Sequence, residues 1–342
     1  MNSQQFKYYC NRAFQELSFR TGISFARPSG IIIVLTNKCN ARCVHCHSYK
    51  LENNLHELTA NEWGKAFSEL RHWLGPVFVS LTGGETLTRK DVLAILNHAT
   101  RNGFWVEFLT NGYALDEVLA EKLIESGVRR ITISLDGTSP DVHDKIRGRN
   151  GFFDKASRSV KMLVDQNRTQ GRDVLVRLKT VIMRLNLHDI HNIPILAKKF
   201  GVEGVEYQAL TPIYYSDQLN NEDWHVNNDL WVNSLADLQN ALIRIKELKT
   251  LGYPVLNTNE NLDLIFRYFS DPNGQKQKVW SHNYRNKSKR CRSWMGLQIL
   301  PDGGMKMCHW MEPFQNIRDG DLSSGWKIRP HCWKEKCGYR ER

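Results

Sequence analysis

Ile31-Ile32-Ile33-Val34-Leu35 runs without a break into Thr36-Asn37-Lys38-Cys39-Asn40-Ala41-Arg42-Cys43-Val44-His45-Cys46-His47, an apolar stretch that feeds a loop with three thiols in eight residues. A short run of β-branched residues bounded by turn formers reads as a buried strand, so the loop opens at that strand's C-terminal end. Closely spaced cysteines can form disulfides, bind zinc or ligate an iron–sulfur cluster. Zinc asks for four closed ligands and the loop offers three thiolates, with His45 or His47 able to complete the set. An odd trio also suits a four-iron cluster with one iron left open, and the residues alone keep both readings in play.

Outward from this stretch, strand and helix signals alternate. Thr59 caps a helix running to about Trp73, and Phe78–Thr82 is a strand ending at Gly83-Gly84-Glu85. Helices over 89–100, 115–126, 152–166 and 189–200 alternate with strands over 105–109, 130–135, 174–181 and 205–210. Counting from Ile31, six strands are separated by helices, which predicts a parallel sheet with right-handed crossovers. Eight such units close a barrel. Six leave it open, so the expected class is α/β, an open (β/α)6 partial TIM-type barrel with a lateral gap. Cysteine loop, Gly83-Gly84-Glu85, Thr110-Asn111-Gly112 and Ser134-Leu135-Asp136-Gly137 all fall just past strand ends, where parallel barrels build active sites.

The spacing Cys39-x3-Cys43-x2-Cys46, with the His45 ring immediately before the last cysteine, resembles the signature loop of the radical S-adenosylmethionine (SAM) enzymes. The resemblance implies that Cys39, Cys43 and Cys46 hold a [4Fe–4S] cluster whose open iron binds SAM, with His45 beside the adenine. It implies that Gly83, Gly84 and Glu85 hold SAM's amino group, that Ser134 and Asp136 lie beside the ribose or methionine part, and that Arg147 lies near the methionine carboxylate. Asn111, past the third strand, is expected in the same cofactor site. The implied chemistry is reductive cleavage of SAM to a 5′-deoxyadenosyl radical that abstracts a hydrogen atom from a substrate carbon.

Beyond about Gly252 periodicity fades, and residues 251–290 read as a linker. Cys291, Cys308, Cys332 and Cys337 follow, a complete set for one cluster or one zinc, for which His309 and His331 are further candidates. Gln298–Met307 between the first two reads as a hairpin turning at Asp302-Gly303. This arrangement resembles the SPASM/twitch extension of radical SAM enzymes, and the cysteine number favours the single-cluster twitch type, implying an auxiliary [4Fe–4S] cluster. The expected organisation is thus an N-terminal helical segment (1–30), the barrel (31–250), a linker (251–290) and an auxiliary cluster domain (291–342).

No apolar run approaches the ~18 residues that span a bilayer, and the polar N-terminus lacks a signal-peptide core. Eight cysteines without an export signal favour a reducing compartment, so the cytoplasm is expected. The net charge of +11 would suit nucleic acid, but no dense basic run interleaved with aromatics is present. It equally suits an acidic electron donor of flavodoxin or ferredoxin type. The favoured function is net oxidation, such as dehydrogenation or cross-linking, because an auxiliary cluster suits an electron acceptor and Cys10 lies before the first strand; the expected substrate is a small molecule or an unaided peptide, because only about 30 residues precede that strand, too few for a leader-reading domain. Two alternatives remain: an epimerase of a sugar or peptide using Cys10, the one cysteine outside both groups, as hydrogen donor, and a zinc-stapled, non-catalytic RNA-binding protein.

Overall fold

The structure is a computed structural model that describes residues 26–51, 56–213, 223–272, 296–307 and 311–328, parts of a helical stretch within 10–18, and isolated positions between 213 and 223. Strands β1 (Gly30–Val34), β2 (Phe78–Thr82), β3 (Trp105–Thr110), β4 (Arg130–Ser134), β5 (Leu175–Ile182) and β6 (Gly204–Ala209) lie side by side in sequence order, all parallel. The helices α1 (Ala60–Leu74), α2 (Val92–Arg101), α3 (Glu117–Glu125), α4 (Pro140–Arg147), α5 (Phe152–Thr169) and α6 (Ile193–Phe200) fill the crossovers. The sheet is not closed, as expected of six units.

Local signals account for where these helices begin. Thr59 and Glu62 form a reciprocal capping box at the start of α1, and the Asp116 side chain accepts the Leu119 amide at the start of α3. Alternate strand residues, such as Val79 and Leu81, Val106 and Phe108, Ile131 and Ile133, Val176 and Leu178, are buried in the core shared with the helices. The residues between them, including Ser80, Glu107, Thr132, Arg177 and Lys179, face the open inner side.

Two readings need revision. The stretch expected to be a linker carries α8 (Asn259–Ser270), opened by a capping box between Thr258 and Asn261, and α7 (Leu235–Thr250) precedes it with a Ser234 cap. Both contribute to the main core through Leu238, Ile245, Leu262 and Ile265. The C-terminal hairpin forms as expected from β7 (Leu297–Ile299) and β8 (Gly304–Lys306), with Gly303 at φ +91°. However, β7 pairs in parallel with β1, so the hairpin and β9 (Gln315–Asn316) extend the barrel sheet beyond its first strand. Three contacts lock this extension to the barrel: Leu58 N donates to Pro301 O at 2.8 Å, Arg318 pairs with Glu62 at 2.7 Å, and Trp326 of α9 (Leu322–Ile328) donates to Ala26 O at 3.0 Å. Among the described residues, no helix is long and apolar enough to cross a membrane.

Candidate active site

The cysteine loop leaves β1 and is held from two sides. Gly84 N donates to Thr36 O and Glu85 N to Lys38 O, each at 2.8 Å, which lays the loop after β2 against it. A Cβ on Gly83 would stand 2.5 Å from Thr36 O, and one on Gly84 2.6 Å from Asn37 O. The two glycines therefore make room for the neighbouring loop backbone, a partner the sequence did not reveal. From the other side, Arg42 N donates to Arg147 O at 2.9 Å and Val44 N to Ile146 O at 3.0 Å, so the C-terminal carbonyls of α4 clamp the loop.

Cys43 is buried and Cys39 and Cys46 are half-buried; with Ala41 they pack against Phe152 and Tyr113, whose rings stack at 4.4 Å. Backbone amides point at sulfur, Ala41 N to Cys39 and Ser48 N to Cys46, both at 3.4 Å. Burial pushes the Cys39 thiol up to about 12 and raises Cys43 as well, in spite of the Arg147 guanidinium 3.6 Å from its sulfur. None of the three is in a disulfide.

Glu85 is buried, and its carboxylate accepts from Thr110 Oγ1 at 2.5 Å, Asn111 N at 2.7 Å and Leu87 N at 3.1 Å. Burial nevertheless pushes its carboxyl upward, because these donors are neutral and the Arg147 charge acts only from a distance. Asn111 spends its side chain inside the protein, donating to Asn40 Oδ1 of the cysteine loop at 2.8 Å and accepting the Tyr113 amide at 3.0 Å.

Asp136 is fully buried past β4, where Oδ1 accepts Val181 N at 2.9 Å and Oδ2 pairs with Arg147 Nη2 at 2.6 Å. Despite the burial, the Arg147 charge holds its carboxyl low, helped by His45 and His143. His143 accepts the Asp136 amide on Nδ1 at 3.0 Å, and burial drives its pKa down to about 3. Burial likewise takes His45, whose Nδ1 is buried without a partner among the described residues, to about 4.

The Ser134 side chain is half-buried at the end of β4. Cys39, Cys43, Cys46, His45, Glu85, Asn111, Asp136 and Arg147 thus meet around one loop at the C-terminal ends of β1–β4. A family model described as the radical SAM superfamily matches residues 33–193, the span that carries all of them.

Residues 33–193 carry a radical SAM superfamily domain.

Similar curated proteins include an AdoMet-dependent heme synthase of Methanosarcina barkeri, 28% identical over 92% of this chain and 88% of the relative. A PqqA peptide cyclase of Rhodopseudomonas palustris is 28% identical over 87% of this chain and 72% of its own length. Among solved structures, SuiB of Streptococcus suis bound to S-adenosylmethionine superposes with a TM-score of 0.65 at 15% identity, covering 93% of this chain and 68% of SuiB. That likeness concerns the fold. The domain match weighs against the zinc-stapled, non-catalytic alternative.

The radical SAM match implies SAM and the [4Fe–4S] cluster that binds it as cofactors. The donor set fits that cluster. Buried thiols with raised pKa need a positive centre to become thiolates, and the amides aimed at sulfur suit thiolate ligands. Among the described residues no three His, Cys, Asp or Glu side chains converge on one point as a single ion requires; a cluster asks only that each thiolate reach its own iron. Cys291, Cys308, Cys332 and Cys337, like His309 and His331, lie outside the described residues.

Sequence reasoning missed the supports. Thr110 holds Glu85, Asn40 holds Asn111, and Tyr113 with Phe152 walls the thiols. Arg89 donates to Leu35 O and Leu58 O, both at 2.8 Å, and pairs with Asp91 at 2.8 Å. The only local hint was position, since Thr110 ends β3 and Arg89 lies a short way past β2.

Proposed function

We propose that this radical SAM enzyme takes a hydrogen atom from a carbon of a small natural product or peptide, for net oxidation by dehydrogenation or cross-linking. Cys39, Cys43 and Cys46 would hold the SAM-binding cluster, and Cys291, Cys308, Cys332 and Cys337 the auxiliary one. When reduced, the first cluster supplies the electron that cleaves SAM to methionine and a 5′-deoxyadenosyl radical. A flavodoxin- or ferredoxin-type donor and a cytoplasmic setting belong to the same reading.

The protein's own groups bind and orient. Glu85 offers an ammonium group a buried carboxylate that neutral donors orient and that no close cation among the described residues neutralises. Gly83 and Gly84 let the backbone leading to that carboxylate lie tight against the cysteine loop. Arg147, fixed by Asp136, brings a cation beside Cys43 and toward a methionine carboxylate. Asn111 keeps the loops after β1 and β3 in step, the uncharged His45 ring suits a flat adenine, and Ser134 suits a ribose hydroxyl.

One observation carries the preference for oxidation over epimerisation. An epimerase needs a hydrogen donor at the barrel mouth, and the candidate was Cys10. Asn11, its neighbour, donates to Arg27 O at 3.1 Å and accepts the Arg27 amide at 3.0 Å, while Arg27 in turn donates to Trp73 O at the end of α1. These contacts sit where β1 and β2 begin, the opposite end of the barrel from the cysteine loop. That supports an electron, and not a Cys10 hydrogen atom, as what completes turnover. Turnover in heavy water tests it: no solvent deuterium at the reacting carbon is expected, and one deuterium that disappears in Cys10→Ala would make the enzyme an epimerase. The relatives leave two substrate types in view, tetrapyrroles and peptides.

A further inference from the structure

Residues in register on adjacent parallel strands stand at one height, so the inner face of the barrel forms rungs. One joins Ser80, Glu107 and Arg130, and the next above it joins Leu109, Thr132 and Arg177. Glu107 accepts from Ser80 Oγ at 3.3 Å and Thr132 Oγ1 at 2.8 Å and pairs with Arg130 at 3.5 Å, while Arg177 pairs with Glu203, Nη2 to Oε1 at 2.6 Å. Apart from the buried Arg130 Nε, which has no partner among the described residues, the charged and polar side chains of these two rungs are paired.

The third rung is Ser134, Lys179 and Glu206. Above it, Val181 donates its amide to Asp136, the partner of Arg147. Lys179 therefore sits one rung, about 6.6 Å along the strand, beneath the carboxylate that fixes the SAM-side arginine. Its side chain is half-buried and makes no hydrogen bond or ion pair among the described residues; the side chains of Ser134 and of Gln208, one rung higher, are likewise uncommitted. Glu206 is exposed, and its charge acts on Arg177. A half-buried ammonium loses hydration that no protein acceptor returns here, and an anion entering through the lateral gap would return it.

We propose that Lys179 anchors a carboxylate of the substrate inside the barrel, directly below the SAM site, with Gln208 as a flanking hydrogen-bonding group. The proposal rests on the radical SAM reading of the barrel mouth and adds the chemical class of the substrate group. The carboxylate could belong to a tetrapyrrole or to an acidic peptide, and the probes separate the two.

Binding is measured with SAM present, using coproporphyrin III against its tetramethyl ester, and a glutamate-containing hexapeptide against its glutamine counterpart. Wild type should bind one charged probe about tenfold more tightly than its neutral counterpart, and which one identifies the source. Lys179→Met should erase that preference and Lys179→Arg should keep it. Wild type preferring neither charged probe, or a preference that survives Lys179→Met, overturns the proposal. Substrate-free formation of 5′-deoxyadenosine with dithionite, together with absorbance near 400 nm, should match wild type in Lys179→Met. Wild type forming none would sink the reading of function while leaving the binding comparison to judge Lys179.

Discussion

Replacing Glu85 with Gln separates two uses of one carboxylate. In the free protein the substitution has opposing effects. Removing the charge relieves the burial that pushes this carboxyl upward, but Oε1 accepts from Thr110 and Leu87 while Oε2 accepts from Asn111 N. A glutamine amide must turn its NH2 toward one of those sides, leaving a buried donor facing a donor at a cost of about 1–3 kcal/mol. The two terms are similar in size, so stability should change by no more than about 1–2 kcal/mol. For SAM both terms have the same sign, because the ammonium loses its charged acceptor. A charge-assisted hydrogen bond contributes roughly 1.5–3 kcal/mol, which corresponds to a roughly 10- to 150-fold weaker affinity. Anaerobic SAM titration of reconstituted protein, with iron assayed on the same sample, is the measurement. Iron content should stay at the wild-type level, since no ligand is removed. Affinity within twofold of wild type at full iron content would mean that Gly83-Gly84-Glu85 is only a loop staple.

Cys39→Ala, Cys43→Ala and Cys46→Ala should each abolish reductive SAM cleavage, because two thiolates cannot hold the site-differentiated cluster; 5′-deoxyadenosine from any of the three would refute the ligand assignment. Arg147→Met leaves Asp136 buried without its counter-charge, so urea denaturation should show a loss of about 3–5 kcal/mol, and an unchanged midpoint would show that the pair does not stabilise the fold. The pH dependence follows from His143, whose pKa is driven down to about 3 in the fold. As pH falls below about 6.5 the unfolded chain takes up a proton that the native state refuses until about 3, so stability should decline across that window. His143→Gln should flatten the decline between about pH 6.5 and 5, and an identical slope in the variant would show that other groups set it.

The sequence by itself determined what depends on near neighbours. Strand and helix periods, the capping box at Thr59 and Glu62, the hairpin at Asp302-Gly303 and the trio Cys39, Cys43 and Cys46 are written within a few residues, because side-chain period, caps and turns are local geometry. The helices α7 and α8 carry the same local code, a Ser234 cap with Leu238, Ala241, Leu242, Ile245 and Leu248 at helical spacing in the first and a Thr258–Asn261 capping box in the second, so the linker reading passed over signals that were present. Only the tertiary structure decided who meets whom. It turned Gly83 and Gly84 toward the backbone at 36–38, gave Asp136 to Arg147, joined β7 to β1 and left Lys179 uncommitted above two paired polar rungs. These contacts join segments from eleven residues to hundreds of residues apart, and no local period encodes them: which buried charge finds which partner is fixed by the height at which adjacent strands come into register, and that height exists only once the sheet has formed.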